Sequence, residues 1–396
     1  MIALTQKSIC PFCFSKFSLQ EIRFRCLKPG CPGRALDPVF AQARGYTVVE
    51  MGRVLVPNKR VLGLGLTTDV ECDTCHTISR TRLCPICHFE LSHDVGRIDQ
   101  RIIAIIGGRN TGKTHYIASL ITRLKQEVGK NFEITVRMLG DHTQERWDRD
   151  FYTPLFVRKT VLQPTRPAEI DSAVKSPLIF RLTFDNGATT RAINISFFDS
   201  AGEDMTSLNT MSIQNRYICF ADGIIFLLDP LQIAKIRQRQ ELHSAAVNVP
   251  PQDPKASPEN IVGRLRDLFE REYNLRAAQK IKVPVAFTLS KIDALKPILE
   301  PGSELLRHSE HFGRLDLDDI QSVSTEIANY LSEWIDPNFL GIVDKGFANY
   351  RYFGVSSLGE PPDVSNHLLT ISPLRVEDPF LWILYKLGLI RGLKAR

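Results

Sequence analysis

Residues 102–114 read Ile-Ile-Ala-Ile-Ile-Gly-Gly-Arg-Asn-Thr-Gly-Lys-Thr. The apolar half predicts a buried strand, and the second half has the Gly-x-x-x-x-Gly-Lys-Thr form of a phosphate-binding loop. Downstream, Ile117, Leu120, Ile121, Leu124 and Val128 recur at helical spacing and give a helix one apolar face. Each residue type then has a task. Gly107 and Gly112 let backbone amides, those of Asn110 and Thr111 among them, close around an anion with no Cβ in the way. The helix N-terminus adds its positive end. Lys113 is placed to reach the β- and γ-phosphates, and the Thr114 hydroxyl to ligate Mg²⁺.

Outward from this loop, a second apolar strand, 193–198, runs into Asp199-Ser200-Ala201-Gly202-Glu203. Asp199 at a strand end is expected to hold Mg²⁺ through water, and the Gly202 amide to bond the γ-phosphate, so this loop would sense it. A third strand, 283–289, leads into Ser290-Lys291-Ile292-Asp293. This spacing resembles the Asn-Lys-x-Asp guanine motif of Ras-like GTPases, with Ser in place of Asn. The resemblance implies that the Asp293 carboxylate accepts two hydrogen bonds from guanine N1–H and the exocyclic amine, a pattern adenine lacks. Lys291 is expected to lay its aliphatic stem along the base. Further apolar strands are expected at 178–184 and at 223–228, the latter ended by Asp229-Pro230. Thr165, on the Pro-punctuated loop Leu162-Gln163-Pro164-Thr165-Arg166-Pro167, is the expected second sensor of Mg²⁺ and γ-phosphate, with Thr160 the runner-up. Arg166 reads as a surface arginine, a finger in cis being the alternative.

Eight of the nine cysteines precede residue 90, and most come in close pairs: Cys10 and Cys13, Cys26 and Cys31, Cys72 and Cys75, Cys84 and Cys87. Close pairs on turns deliver two thiolates to one tetrahedral Zn²⁺, so eight cysteines make two closed structural sites with no open coordination position. Spacing leaves open whether the two sites are sequential or interleaved; sequential is the simpler arrangement. Disulfides are the competing reading. The chain opens without a signal-peptide pattern and carries a nucleotide-type core, so the expectation is a reducing, cytoplasmic compartment. His76, His88 and His93 are expected to be solvated, and Cys219, in an apolar segment, to be a small core residue.

Residues 1–98 carry 13 Lys+Arg against 8 Asp+Glu, which is nearly all of the chain's formal +6. Eight metal-bound thiolates and two Zn²⁺ would lower that module to about +1, so its charge establishes no nucleic-acid footprint. At 396 residues, with 43% hydrophobic and 24% charged, the chain has room for two globular domains. The expected division is a zinc-binding module over 1–98 and a nucleotide domain over 99–396, with insertions near 125–176 and 231–280. Within the second insertion a Pro-rich linker ends at Ser257-Pro258-Glu259, which opens a helix. Residues 379–389 read as a terminal helix packed on the sheet. No apolar run is long enough for a membrane span. Apolar strands alternating with helices imply an α/β, doubly wound, mostly parallel sheet with ligands at the strands' C-terminal ends.

Taken in order, residues 102–114, 199–203, 290–293 and 353–358 resemble the Ras-like branch of P-loop GTPases. The resemblance implies GTP and GDP as ligands, with Ser356, Ser357 and Leu358 forming the last base-contacting loop and the Ser357 amide meeting guanine O6. Two positions depart from that pattern. Ser290 stands where Asn is usual, which shortens the contact to the base pocket. Glu203 stands where a water-orienting Gln is usual. Its carboxylate can orient water but repels the γ-phosphate, so slow intrinsic hydrolysis is expected. More narrowly, the cysteine module, Asp-x-x-Gly-Glu at 199–203 and Arg375-Val376-Glu377-Asp378-Pro379 are similar to the bacterial double-GTPase type. That resemblance implies a prokaryotic conflict or signalling role beside a partner protein, itself a GTPase. Two readings follow: a slow GTPase switch, or a nucleotide-holding adaptor that works through its zinc ribbons.

Overall fold

The computed structural model describes residues 7–44, 50–57, 67–163, 176–185, 190–198, 217–244, 251, 257–276, 278–335, 337–363 and 365–393. Thr165, Arg166, Asp199, Gly202 and Glu203 lie outside them. Seven strands form the main sheet: β1 (Asp99–Gly107), β2 (Ile134–Met138), β3 (Leu178–Asp185), β4 (Thr190–Phe197), β5 (Gly223–Leu228), β6 (Val285–Leu289) and β7 (Tyr350–Gly354). Their spatial order is β2-β3-β4-β1-β5-β6-β7. β4, β1, β5, β6 and β7 run parallel, while β3 pairs antiparallel with both β4 and β2. The C-terminal ends of the parallel strands therefore open on one edge. β2 falls inside the segment read from sequence as an insertion, where alternation over five residues is a weak signal.

The helices α1 (Lys113–Lys125), α2 (Pro258–Tyr273), α3 (Leu317–Trp334) and α4 (Asp378–Lys386) cover both faces. Ile102, Ala104 and Ile106 of β1 point to the side of Leu265 and Phe269 of α2 and Ile327 and Leu331 of α3. Ile103 and Ile105 point to the side of Ile117, Ile121 and Leu124 of α1 and Phe380 and Ile383 of α4. A strand buried on both faces has no polar side to alternate with, which is why β1, β5 and β6 read as unbroken apolar runs. The helix α2 starts as the sequence implies, with Ser257 capping it through the Asn260 amide and Pro258 in the first turn. Close approach of α4 to β5 depends on Gly223, where an added Cβ would come within 2.4 Å of the Ile383 side chain.

Among the described residues before β1 the strands run two or three residues, beside one seven-residue helix, Pro38–Arg44. Lys7–Ile9 pairs with Lys16–Ser18 and Val70–Glu71 with Ile78–Ser79, each hairpin carrying a Cys-x-x-Cys turn. Arg23–Arg25 pairs antiparallel with Thr81–Leu83 and with Val54–Leu55. That pairing brings the first half of the module against the second and decides the cysteine grouping. The pairs are nested rather than sequential: Cys10, Cys13, Cys84 and Cys87 form an outer cluster, and Cys26, Cys31, Cys72 and Cys75 an inner one. The simpler, sequential arrangement is thus corrected by a strand pairing more than fifty residues long in sequence separation.

Candidate functional site

β1 delivers Gly107 to the open edge of the sheet. A Cβ there would lie 2.6 Å from the Leu227 carbonyl of the neighbouring strand, so only glycine lets the loop leave so close to β5. The turn then needs left-handed backbone at Asn110 (φ 61°) and Gly112 (φ 86°), and Gly112 stands at the N-terminus of α1. Thr111 is buried, its hydroxyl donating to the Gly108 carbonyl at 3.0 Å. The buried Lys113 ammonium folds back over the loop and donates to the carbonyls of Gly107 (3.1 Å) and Gly108 (2.9 Å). Thr114 follows in the first turn of the helix. Cationic nitrogen, helix end and loop amides converge on a cradle suited to an anion.

Two strands away, β6 ends at Ser290, whose amide and hydroxyl both donate to the Leu228 carbonyl, at 2.8 and 3.1 Å. The hydroxyl is thereby committed to the sheet. Lys291 has left-handed backbone (φ 54°), and its ammonium pairs at 2.7 Å with Asp229, a fully buried carboxylate at the end of β5. Asp293 accepts a 2.6 Å hydrogen bond from the Ser356 hydroxyl, which itself accepts from the Gly359 amide at 2.8 Å. The Ser357 carbonyl accepts from Ser119 of α1 at 2.7 Å, and Leu358 packs partly buried on the same side of the sheet as α1. One helix thus joins the phosphate-type loop to the loop after β7. The structure brings together 107–114, 290–293 and 356–358 at the same sheet edge, each anchored by bonds that fix a polar group.

Three contributors escaped sequence reading. Asp229 carried a usable signal, an acidic residue at the C-terminal end of a buried strand; Ser119 carried none. His115, directly after Thr114, accepts the Leu162 amide on Nε2 at 3.0 Å and so holds the chain that leads toward Thr165. Burial, aided by the Lys291 charge, lowers its pKa to about 4, so the imidazole is a neutral acceptor at neutral pH. Thr160, the alternative sensor, spends its hydroxyl on the Pro154 carbonyl at 3.1 Å.

In the outer cysteine cluster the Sγ atoms of Cys10 and Cys87 are 3.6 Å apart and those of Cys13 and Cys84 3.9 Å. In the inner cluster the matching separations are 3.6 and 3.9 Å, Cys26 to Cys75 and Cys31 to Cys72. A tetrahedron with Zn–S bonds near 2.3 Å has edges of about 3.8 Å, whereas a disulfide needs about 2.05 Å. The backbone agrees with thiolate chemistry: the amides of Phe12, Gly33 and Ile86 point at the sulfurs of Cys10, Cys31 and Cys84, each at 3.4 Å. The residues present fit two four-thiolate metal sites. His76 and His93 are exposed, as expected. His88 is not: it is buried, with Nδ1 2.9 Å from Asp37 and Nε2 3.2 Å from Arg23, and Arg25 completes the pair with Asp37 at 2.7 Å. The fold of the module turned that side chain inward to satisfy a buried carboxylate. Cys219 is buried in the core.

A third convergence, His311, Asp319 and Asp378, has the spacing of a metal site. Its two carboxylates are instead taken by Arg375, which donates to both at 2.8 Å. Burial would lower the His311 pKa, but the neighbouring Asp378 carboxylate outweighs it and the net shift is upward. This buried ion cluster locks the start of α4, giving the 375–379 string a structural reason.

Among the described residues no helix is long and apolar enough to cross a membrane. The chain is 27% identical over 327 residues to the "Putative ESX-1 scaffolding and assembly protein SaeC" of Mycolicibacterium smegmatis, an overlap of 78% of this chain and 80% of that protein. Residues 101–356 match the family described as Double-GTPase 2. That match runs from the strand before the phosphate-type loop to the serine that holds Asp293, and with it the chain belongs to the Double-GTPase 2 family.

Proposed function

We propose that this protein binds GTP and GDP with Mg²⁺, hydrolyses GTP slowly and changes conformation with the γ-phosphate. The observation that carries the reading is the Asp293 carboxylate, held by Ser356 on the same sheet edge as the 107–114 loop. In this reading Asp293 receives guanine N1–H and the exocyclic amine, the Ser357 amide meets O6, and Lys291, positioned by Asp229, covers the base. Gly107, Asn110, Thr111 and Gly112 wrap the phosphates, and Lys113 leaves its loop carbonyls for the β- and γ-oxygens. Thr114 and Asp199 hold Mg²⁺, which when bound neutralises phosphate charge. Thr165 and Gly202 report the γ-phosphate, and Glu203 orients the attacking water at the cost of repulsion. The two cysteine clusters hold two structural Zn²⁺, the compartment is cytoplasmic, and the partner is another protein, in line with the assembly role in the relative's name.

The test is calorimetry of GDP and GTP with Mg²⁺, followed by single-turnover phosphate release from wild type, Lys113→Ala, Glu203→Gln and Glu203→Ala. Nucleotide heat in wild type and in the Glu203 variants but not in Lys113→Ala, with a hydrolysis rate that changes in the Glu203 variants, is expected. Well-folded protein that gives no heat with either nucleotide overturns the reading. A second reading, a nucleotide-holding adaptor, is favoured by Glu203 in the water-orienting position and by the relative's name. Binding with phosphate release equal in wild type and Lys113→Ala would select it.

A further inference from the structure

The two cysteine clusters differ in what stands next to them. Phe14, the residue after Cys13, is fully buried, yet its neighbours belong to the core of the α/β sheet and not to the cysteine module. Its ring lies 5.2 Å from Phe198 and 5.7 Å from Tyr217, whose rings are 4.5 Å apart. The Cys10–Cys13 turn sets that position: the Phe14 amide donates to the Cys10 carbonyl at 3.0 Å and the backbone is left-handed, φ 57°. Close by, the Lys16 ammonium stands 5.4 Å over the Phe220 ring, and Ile9 packs on the same core. Among the described residues, none of the four inner-cluster cysteines joins either core of the main sheet.

Tyr217 is the other half of the device. Its buried hydroxyl donates to the Ile103 carbonyl at 2.6 Å and accepts from the amides of Ile105 (3.3 Å) and Phe198 (3.2 Å). Ile105 stands two residues before Gly107, and Phe198 immediately precedes Asp199. One phenol therefore clasps β1, which carries the phosphate loop, to the end of β4, and the ring of Phe14 closes the third side of that clasp. Removing the Phe14 ring, or releasing the turn that aims it, leaves a void against two aromatic rings in a close-packed interior.

We propose that metal occupancy of the outer cluster, Cys10, Cys13, Cys84 and Cys87, is thermodynamically linked to nucleotide binding through Phe14, a positioning residue for the ends of β1 and β4. The link rests on the nucleotide reading given above. Linkage is reciprocal, so bound nucleotide must retain metal in the outer cluster by the same factor that metal favours nucleotide. The inner cluster, without a Phe14 of its own, stands outside the link.

The experiment uses the full chain carrying two Zn²⁺. A chromogenic chelator follows Zn²⁺ release with and without GTP and Mg²⁺, and fluorescent GTP gives the affinity. Two release phases of one Zn²⁺ each are expected in wild type, with nucleotide slowing one of them about 10-fold, within the usual range of coupling between sites. Phe14→Ala should keep two Zn²⁺, lose the nucleotide effect on release and bind GTP about 10-fold more weakly. Phe14→Leu, which refills most of the void, should recover both. Nucleotide that binds normally but slows neither phase, or both alike, overturns the link while leaving the nucleotide reading intact. Wild-type protein with two Zn²⁺ and no nucleotide affinity overturns both.

Discussion

In the α/β core, β1, β5 and β6 are buried on both faces, and order comes from apolar area on two sides of a sheet. In the cysteine module, strands run two or three residues, and six of the thirteen described residues of its buried cluster are cysteines. A core that small offsets little chain entropy unless something else ties it together. The module therefore borrows its order from its thiolates, while the sheet supplies its own. Phe14 is one place where one kind of order touches the other.

Metal removal is the strongest way to break that comparison. A structural zinc is worth about 10–16 kcal/mol at neutral pH, so chelation should melt the module while β1, β5 and β6 keep their protection. Hydrogen exchange read by mass spectrometry checks this; exchange of the sheet at the rate of the module would show a single cooperative unit. Next in size is a lesion confined to the core. Arg375 is fully buried between Asp319 and Asp378, and Arg375→Met strands two carboxylates. Loss of a buried partner costs about 3–5 kcal/mol, seen as a lower urea midpoint with Zn²⁺ content unchanged. Altered metal content in that variant would contradict the separation drawn here.

A site-level change is smaller for the fold but decisive for the ligand. Asp293→Asn exchanges an acceptor for a donor, and the prediction is a loss of GTP affinity of about 100-fold with a gain for xanthine nucleotides. Competition binding measures it, and unchanged GTP preference would remove Asp293 from the base contact. The smallest effect is one of pH. The His115 pKa is depressed to about 4 when folded, against an ordinary value near 6.5. The unfolded chain then takes up the proton first, so this group's stabilising contribution is complete above pH 6.5 and declines as pH falls toward 4. Imidazole NMR, assigned by loss of the signal in His115→Gln, should show a midpoint near 4; a midpoint near 6.5 would mean the Leu162 bond does not hold.

The phosphate-type loop was legible because its geometry is local: two left-handed residues, a glycine pinched against β5 and a helix start lie within eight consecutive positions. The same holds for the apolar strands, whose burial on two faces writes itself as an unbroken run. β2 was hidden because a five-residue edge strand alternates too briefly to be told from a loop. The switch residues Thr165, Asp199, Gly202 and Glu203 stand as sequence readings, outside the described residues. Ser290 and Lys291 were read for their type, but their partners, Leu228 and Asp229, come from another strand.

Composition and short-range spacing were sufficient for the class of fold, the apolar strands of its sheet, and eight cysteines in pairs. Which thiolates share a site, why His88 turns inward, and how a phenylalanine beside Cys13 becomes part of the sheet's core depend on strands far apart in the chain coming into register. Local strings encode conformations that a few torsions can satisfy, whereas those pairings exist only after the chain has paid its loop-closure entropy and packed.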